Sequence, residues 1–158
     1  QAAIWDALNH YSFPDATFLA ERLFAEVPNY DTLYLLATCY YRSGRPIQAH
    51  MLLKKHDSPR HDCKYLLAKC CMDIDKLYEA ETILVGDVFA KYTNSLDEIE
   101  IEYGNMACHV FSLLATLYSK TDRIEKAGEC YKRSLRLNPL LWKSFERLCQ
   151  LGKLYLLT

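Results

Sequence analysis

The sequence predicts an all-α fold, and two observations predict it. Only five glycines and five prolines occur in the 158 residues, which leaves little room for the tight turns of a β-sheet. Apolar residues recur along most of the chain at the three- and four-residue intervals of a helix face. Since 51% of the residues are hydrophobic, a chain of this length has enough apolar side chains to bury a core.

A repeated spacing of alanines predicts that the helices form antiparallel pairs. Three pairs of alanines are each separated by 12 residues: Ala37 with Ala49, Ala68 with Ala80, and Ala115 with Ala127. A small residue on each helix lets the two backbones approach closely, while larger apolar residues fill the space between neighbouring pairs. Self-similarity at this length is typical of tetratricopeptide repeats. The predicted architecture is a tetratricopeptide-repeat α-α superhelix of about four helix pairs.

The repeat also sets the order of elements within one predicted domain, residues 1–158. Helix pairs are expected at about 2–28, 30–60, 61–86 and 107–139, followed by a C-terminal capping helix at 140–152. The step from Ala68 to Ala115 is 47 residues, against 31 from Ala37 to Ala68, so an ordered or partly helical insertion is predicted at 86–105. Because the chain begins at Gln1 rather than Met, we expect a fragment of a longer chain.

Polar residues lie where the two helices of each pair must be joined. Pro46 suits the first turn of a helix, and Asp122 and Glu125 have the spacing of a capping box. The acidic run 97–102 is interpreted as a solvated loop rather than a pair of catalytic carboxylates. In the capping helix, the side chains expected to cover the last repeat are Trp142, Phe145, Leu148 and Cys149.

Composition argues against several classes of function. The 19 basic and 20 acidic residues nearly balance, so no strong field attracts nucleic acid or an anionic membrane. No apolar stretch approaches the roughly 20 residues needed to cross a bilayer. The glycines are isolated, which argues against a phosphate-binding loop. We therefore predict no nucleic-acid or membrane partner and no nucleotide cofactor.

Histidines and cysteines raise the question of a metal or catalytic site. His56, His61, Cys63, Cys70 and Cys71 lie close in sequence, but they supply no CxxC or HxxxH pair. The favoured interpretation is a polar turn followed by core thiols, so no metal, cofactor or catalytic residue is predicted. The odd count of seven cysteines fits a reducing compartment. A thiol nucleophile beside a base is the enzymatic alternative.

Aromatic and cationic side chains on the first helices of the pairs predict a binding groove. Their offsets place them on the stripe that lines the concave face of such a repeat array. We call this set the groove residues: Tyr34, Thr38, Tyr41, Arg42, Tyr65 and Lys69. Rigid aromatic and cationic residues are enriched at protein interfaces. For each tyrosine, packing within the monomer is the alternative interpretation.

Longer strings carry a resemblance that is more specific than the repeat. They lie within residues 1–11, 18–23, 35–44, 63–71 and 120–139, and include LLATCYYRSG at 35–44 and CKYLLAKCC at 63–71. Over nearly its whole length, to about Gly152, the chain resembles the N-terminal tetratricopeptide domain of the cell division cycle protein 27 family.

This resemblance implies a homodimerisation module in a scaffold subunit of the anaphase-promoting complex, a ubiquitin ligase that controls mitotic exit. The implied partners are a second copy of the chain and other subunits of the complex, and the implied location is the nucleus and cytoplasm. The module would have no catalytic activity of its own. In such a dimer, the first helix, with Trp5 and Leu8, is expected to enter the groove of the second copy. The alternative function is a peptide-binding tetratricopeptide adaptor that is monomeric in isolation.

Overall fold

The structure, a computed structural model, describes residues 1–86 and 96–155, with side chains as far as residue 152. Within these ranges it contains ten α-helices and no strand, which confirms the all-α prediction. The helices are α1 (Ala2–Asn9), α2 (Phe13–Glu26), α3 (Tyr30–Arg42), α4 (Pro46–His56), α5 (His61–Asp73), α6 (Leu77–Val85), α7 (Leu96–Tyr103), α8 (Ala107–Lys120), α9 (Ile124–Leu137) and α10 (Trp142–Tyr155). None of these helices combines the length and apolarity that a bilayer span requires.

The chain divides into two compact units, Gln1–Ile83 and Leu84–Thr158. In the first unit each helix from α1 to α4 packs against the next one along the chain. In the second unit α8 packs against α7 and α9, and α10 packs against α9. The single domain over 1–158 stays a prediction, and residues 87–95 of the predicted insertion lie outside the described residues.

The repeated alanines lie in the core, as their spacing predicts. All six side chains, from Ala37 to Ala127, have 0% of their surface exposed. Ala37 and Ala49 belong to one apolar cluster with Leu33 and Leu53 of the same helix pair, and Cys63 of α5 joins them. The alanines therefore lie where paired helices approach, and larger side chains surround them.

The turn inside each helix pair has the same backbone geometry in all four pairs. The first helix ends in a left-handed residue, and these residues are Tyr11, Gly44, Asp75 and Asp122, with φ between 60° and 74°. In each case the next N–H donates to the carbonyl five residues earlier, at 2.8–2.9 Å. The left-handed residue itself donates to the carbonyl three residues earlier. These two bonds define a Schellman motif, which satisfies the last carbonyls of the first helix.

Two of these turns also share their side-chain contacts. The Arg45 guanidinium lies over the Tyr40 ring, 4.9 Å from its centroid, and its Nε donates to Ser43 Oγ at 3.1 Å. The corresponding arginine of the last pair lies 4.5 Å from the centroid of Tyr118, and its Nε donates to Thr121 Oγ1 at 3.0 Å. Tyrosine, hydroxyl and arginine at these positions thus form a repeated side-chain clasp around the turn.

Of the two helix starts predicted from the sequence, one agrees with the structure and one does not. Pro46 occupies the first turn of α4, which confirms that prediction. The predicted capping box of Asp122 and Glu125 is wrong, because Asp122 is the left-handed residue that ends α8. Helix α9 begins one residue later than that box requires, at Ile124, and has no side-chain cap.

The acidic run is a helix rather than the predicted solvated loop. Residues Leu96–Tyr103 form α7, which packs on α8 in the second unit. Arg133 of α9 pairs with Asp97 and with Glu100, the latter at 3.3 Å, and Arg136 pairs with Glu100 at 3.1 Å. The helix agrees with the partly helical insertion expected here, whereas the solvated-loop interpretation of the acidic run is wrong, because basic residues distant in sequence pair with its acidic side chains.

Helix α10 exists where a capping helix is predicted, but it buries a different face. Trp142 is 70% exposed, Phe145 is 47% exposed, and Cys149 is also exposed. Among the residues of α10 up to 152, those that are buried are instead Ser144 and Leu151. The Ser144 hydroxyl lies 3.0 Å from Ser134 Oγ of α9, so a hydrogen bond between two buried serines joins α10 to α9. The predicted covering residues are therefore wrong, except that Leu148 is half-buried.

Replacement of a repeat alanine by a larger residue should destabilise the fold. Ala37→Leu inserts three carbons into a fully buried contact, which is expected to lower the free energy of unfolding by about 1–3 kcal/mol. Urea unfolding followed by circular dichroism measures this change. The matched control is Ala25→Leu on the exposed side of α2, where a change within about 0.5 kcal/mol is expected. Equal losses in both variants would contradict the role given to Ala37.

The left-handed turn residues give a second prediction. Gly44→Ala should lower the free energy of unfolding by about 1 kcal/mol, because a Cβ at φ +74° is strained even though nothing lies near it. Asp122→Gly relieves the same strain, but glycine has more backbone entropy in the unfolded chain, so a change within about 0.5 kcal/mol is expected. Urea titration of both variants tests this contrast. Equal destabilisation by the two substitutions would argue against a left-handed requirement.

Candidate interaction groove

Two neighbouring helices of the first unit carry all six groove residues. Tyr34, Thr38, Tyr41 and Arg42 lie on α3, and Tyr65 and Lys69 lie on α5. Helices α3 and α5 contact each other, because they are the first helices of adjacent pairs. The structure thus brings the predicted set onto two helices that are in contact.

Tyr41 joins the two helices. The Lys69 ammonium lies 6.0 Å from the centroid of the Tyr41 ring, a cation–π contact between α5 and α3. Burial raises the pKa of Tyr41 well above its usual value, and a hydrogen bond with Asp73 raises it further. The phenol is therefore protonated at neutral pH and donates to the Asp73 carboxylate. The contact of Asp73 with Tyr41 was not predictable from the sequence, since the spacing of Asp73 does not distinguish it from other polar residues at a helix end.

Thr38 differs from the other groove residues because it is buried. Its hydroxyl donates to the Tyr34 carbonyl one turn earlier, at 2.8 Å, and only 6% of its surface is exposed. Tyr34, Tyr41, Tyr65 and Lys69 are half-buried, and Arg42 is exposed. The surface open to a partner is therefore aromatic and cationic, and Thr38 supports it from below.

The two residues of the predicted inserted helix have different surroundings. Leu8 is 2% exposed and packs in an apolar cluster of its own unit, together with Ile4 and residues of α2 and α3. Trp5 is half-buried, and the Arg42 guanidinium lies 5.5 Å from the centroid of its ring. Trp5 is therefore adjacent to the groove residues of its own chain, whereas Leu8 fixes α1 to the repeat.

The thiols bear on the enzymatic alternative. All seven cysteines fall within the described residues as free thiols, and six are buried. Burial raises the pKa of Cys39 to about 11, and burial is also the main cause that raises the pKa values of Cys70, Cys71 and Cys130 to about 12. A thiol nucleophile needs a lowered pKa and access to substrate, so these four residues are poorly suited to catalysis.

Comparisons with known proteins agree with the repeat architecture. The family described as anaphase-promoting complex, cyclosome, subunit 3 matches residues 9–86, and the tetratricopeptide repeat family matches residues 109–139. The Homo sapiens cell division cycle protein 27 homolog is 58% identical over 153 residues, which cover 97% of this chain and 18% of that protein. The chain is a tetratricopeptide domain that is similar to part of the cell division cycle protein 27 homologs.

Members of this family are similar to the chain across distant organisms. The Arabidopsis thaliana cell division cycle protein 27 homolog B is 36% identical over 147 residues, which cover 93% of this chain and 18% of that protein. The chain thus spans about a fifth of the length of these relatives. The crystal structure of the APC/C hetero-tetramer Cut9–Hcn1 aligns with a TM-score of 0.75 at 22% identity, over 92% of this chain and 27% of that chain. At this identity the likeness shows the fold alone.

Only one of the seven thiols of this chain is expected to react quickly with an alkylating reagent. Cys149 is exposed, while the other six are shielded, so mass spectrometry of the folded chain should show rapid modification at Cys149 alone. In Cys149→Ser only slow labelling should remain. Rapid modification of any buried cysteine in that variant would instead support the enzymatic alternative.

Proposed function

We propose that the chain is a homodimerisation module of a scaffold subunit of the anaphase-promoting complex, without catalytic activity of its own. The observation that carries this proposal is the 58% identity to the human cell division cycle protein 27 homolog over 97% of the chain. Two proteins with this degree of sequence identity are expected to bind their partners through the same surface. Ligase chemistry would then belong to other subunits, and the chain would act in the nucleus and cytoplasm during mitosis.

The groove residues support self-association because of their chemistry. Tyrosine and arginine dominate interface hot spots, where rigid rings and planar guanidinium groups are desolvated with little loss of conformational entropy. Here the Lys69 ammonium lies over the Tyr41 ring, and the Arg42 guanidinium lies over the Trp5 ring, so each of these side chains already has a partner within its own chain. A pre-arranged surface loses less entropy on binding than a mobile one.

A twofold dimer offers a partner of matching chemistry. In a C₂ interface the two copies make the same contacts in both directions. If α1 of one copy contacts α3 and α5 of the other, the reverse contact therefore forms as well. The half-buried ring of Trp5 supports such a contact, whereas Leu8 is buried in its own unit. The contribution of Leu8 would be to hold α1 in position.

The peptide-binding adaptor is the second candidate. It is favoured by the same tyrosines and cations, because a groove of this kind also suits an extended or helical peptide from another protein. The two candidates differ in one measurable property, which is the mass of the isolated chain in solution.

Light scattering at several concentrations is the experiment that tests the proposal. The wild-type chain should show twice its chain mass of 18.4 kDa. The double variant Trp5→Ala with Tyr41→Ala should raise the dimer dissociation constant at least about 30-fold, because each truncation removes an aromatic anchor. The matched control is Met51→Ala, an exposed apolar residue on the second helix α4, which should leave the dimer unchanged.

Two results would contradict parts of this proposal. A wild-type mass of 18.4 kDa at every concentration would exclude self-association and favour the peptide-binding adaptor. A double variant that stays dimeric, with an unchanged circular dichroism spectrum, would show that the interface lies elsewhere on the chain.

A further inference from the structure

Three metal-ligating side chains from three helices converge in the first unit, away from the groove residues described above. His50 lies on α4, Cys71 near the end of α5, and Glu79 in the first turn of α6. One ligand atom from each residue lies within 4.8 Å of the other two. His50 and Cys71 are buried, and Glu79 is half-buried with 25% of its side chain exposed.

The turn motif explains why two of these residues meet. The Cys71 carbonyl accepts the Schellman hydrogen bond from the Lys76 N–H at 2.8 Å, which fixes the start of α6 against the end of α5. Glu79 follows within the first turn of α6, so its carboxylate returns toward the Cys71 thiol. His50 arrives from the preceding helix pair, and its Nε2 lies 3.1 Å from Glu79 Oε1.

We propose that His50, Cys71 and Glu79 bind a single Zn²⁺ ion, with water as the fourth ligand. An imidazole nitrogen, a thiolate and a carboxylate oxygen are all established zinc ligands, and three protein ligands leave one position open. The Cys71 thiol would release its proton to solvent as the metal binds. This mixed donor set is too soft for Mg²⁺ or Ca²⁺, which select oxygen ligands. Zinc would tie the second helix of one pair to both helices of the next.

One pair of ligand atoms already has the spacing of a zinc site, and the Cys71 thiol lies within 4.8 Å of both. Ligands around tetrahedral zinc are separated by roughly 3.3–3.6 Å, given Zn–N of about 2.0 Å and Zn–S of about 2.3 Å. The 3.1 Å between His50 and Glu79 is already close to this value. His50 also lines an open surface depression together with Lys54.

Lys54 is the competitor for this site. Its ammonium lies 2.8 Å from Glu79 Oε1, the same oxygen that faces His50, and the Lys76 ammonium lies 3.7 Å from Oε2. Without a metal, these lysines and His50 satisfy the carboxylate. The Lys54 side chain is 60% exposed, so its ammonium loses little when it moves into water.

Cobalt titration tests the proposal, because Co²⁺ bound to a thiolate has a near-ultraviolet charge-transfer band. The chain is used in a Cys149→Ser background, which removes the exposed thiol, and under reducing conditions. One equivalent of Co²⁺ should produce the band, and Zn²⁺ should abolish it by displacement. The band should be lost in Cys71→Ala and kept in the matched control Cys70→Ala, which removes the adjacent buried thiol.

Two further variants separate a metal site from a simple ion-pair network. Glu79→Gln should weaken Co²⁺ binding by about tenfold or more, since one anionic ligand is lost. Lys54→Met should strengthen it by about two- to fivefold, because the competing ammonium is gone. If Glu79 served only Lys54 and His50, the Lys54→Met variant would not change Co²⁺ affinity.

Three results would overturn the proposed metal site. No charge-transfer band in the Cys149→Ser chain, or a band that persists in Cys71→Ala, would exclude the site. Circular dichroism confirms that each variant is folded, and if Cys71→Ala fails to fold, the half-buried Glu79→Gln variant decides the question. Unchanged Co²⁺ affinity in a folded Glu79→Gln variant would also exclude the proposal.

Discussion

Close approach of paired helices at alanine is the constraint on which the rest of the structure depends. Where both residues at a contact are alanine, backbones can lie near enough for the flanking leucines and aromatics to fill the space on either side. Each of the three alanine pairs is fully buried. A larger side chain at any of these positions would move a helix and so displace every residue that the helix carries.

The identical turn within each helix pair follows from that close approach. Once two helices lie against each other, the connecting residues must reverse the chain in very few steps, and a left-handed residue with a Schellman hydrogen-bond pair does this. Glycine fills this position once, at Gly44, whereas Tyr11, Asp75 and Asp122 adopt it despite their Cβ atoms. The backbone geometry is thus more uniform than the sequence that adopts it.

Residues for which a function is proposed occupy the places that this framework leaves open. The first helices α3 and α5 present aromatic and cationic side chains along one stripe, where Lys69 and Tyr41 meet. The end of α5 and the start of α6 bring Cys71 and Glu79 together, and α4 adds His50. Both arrangements depend on residues from adjacent helix pairs, so neither would exist in a single repeat.

The sequence by itself determined the helical class, the pairing of helices and the positions of their turns. These features repeat, and the three pairs of alanines that are each separated by 12 residues are visible without coordinates. The sequence also predicted that the groove residues lie on the first helices of two adjacent pairs, because a stripe on a helix face follows from local spacing, whereas their role in binding stays a prediction. Only the tertiary structure decided which face of α10 is buried, that the acidic run forms α7, and that His50, Cys71 and Glu79 converge. The physical reason is that these outcomes depend on partners far along the chain, such as Arg133 for Asp97, whose proximity no local periodicity encodes.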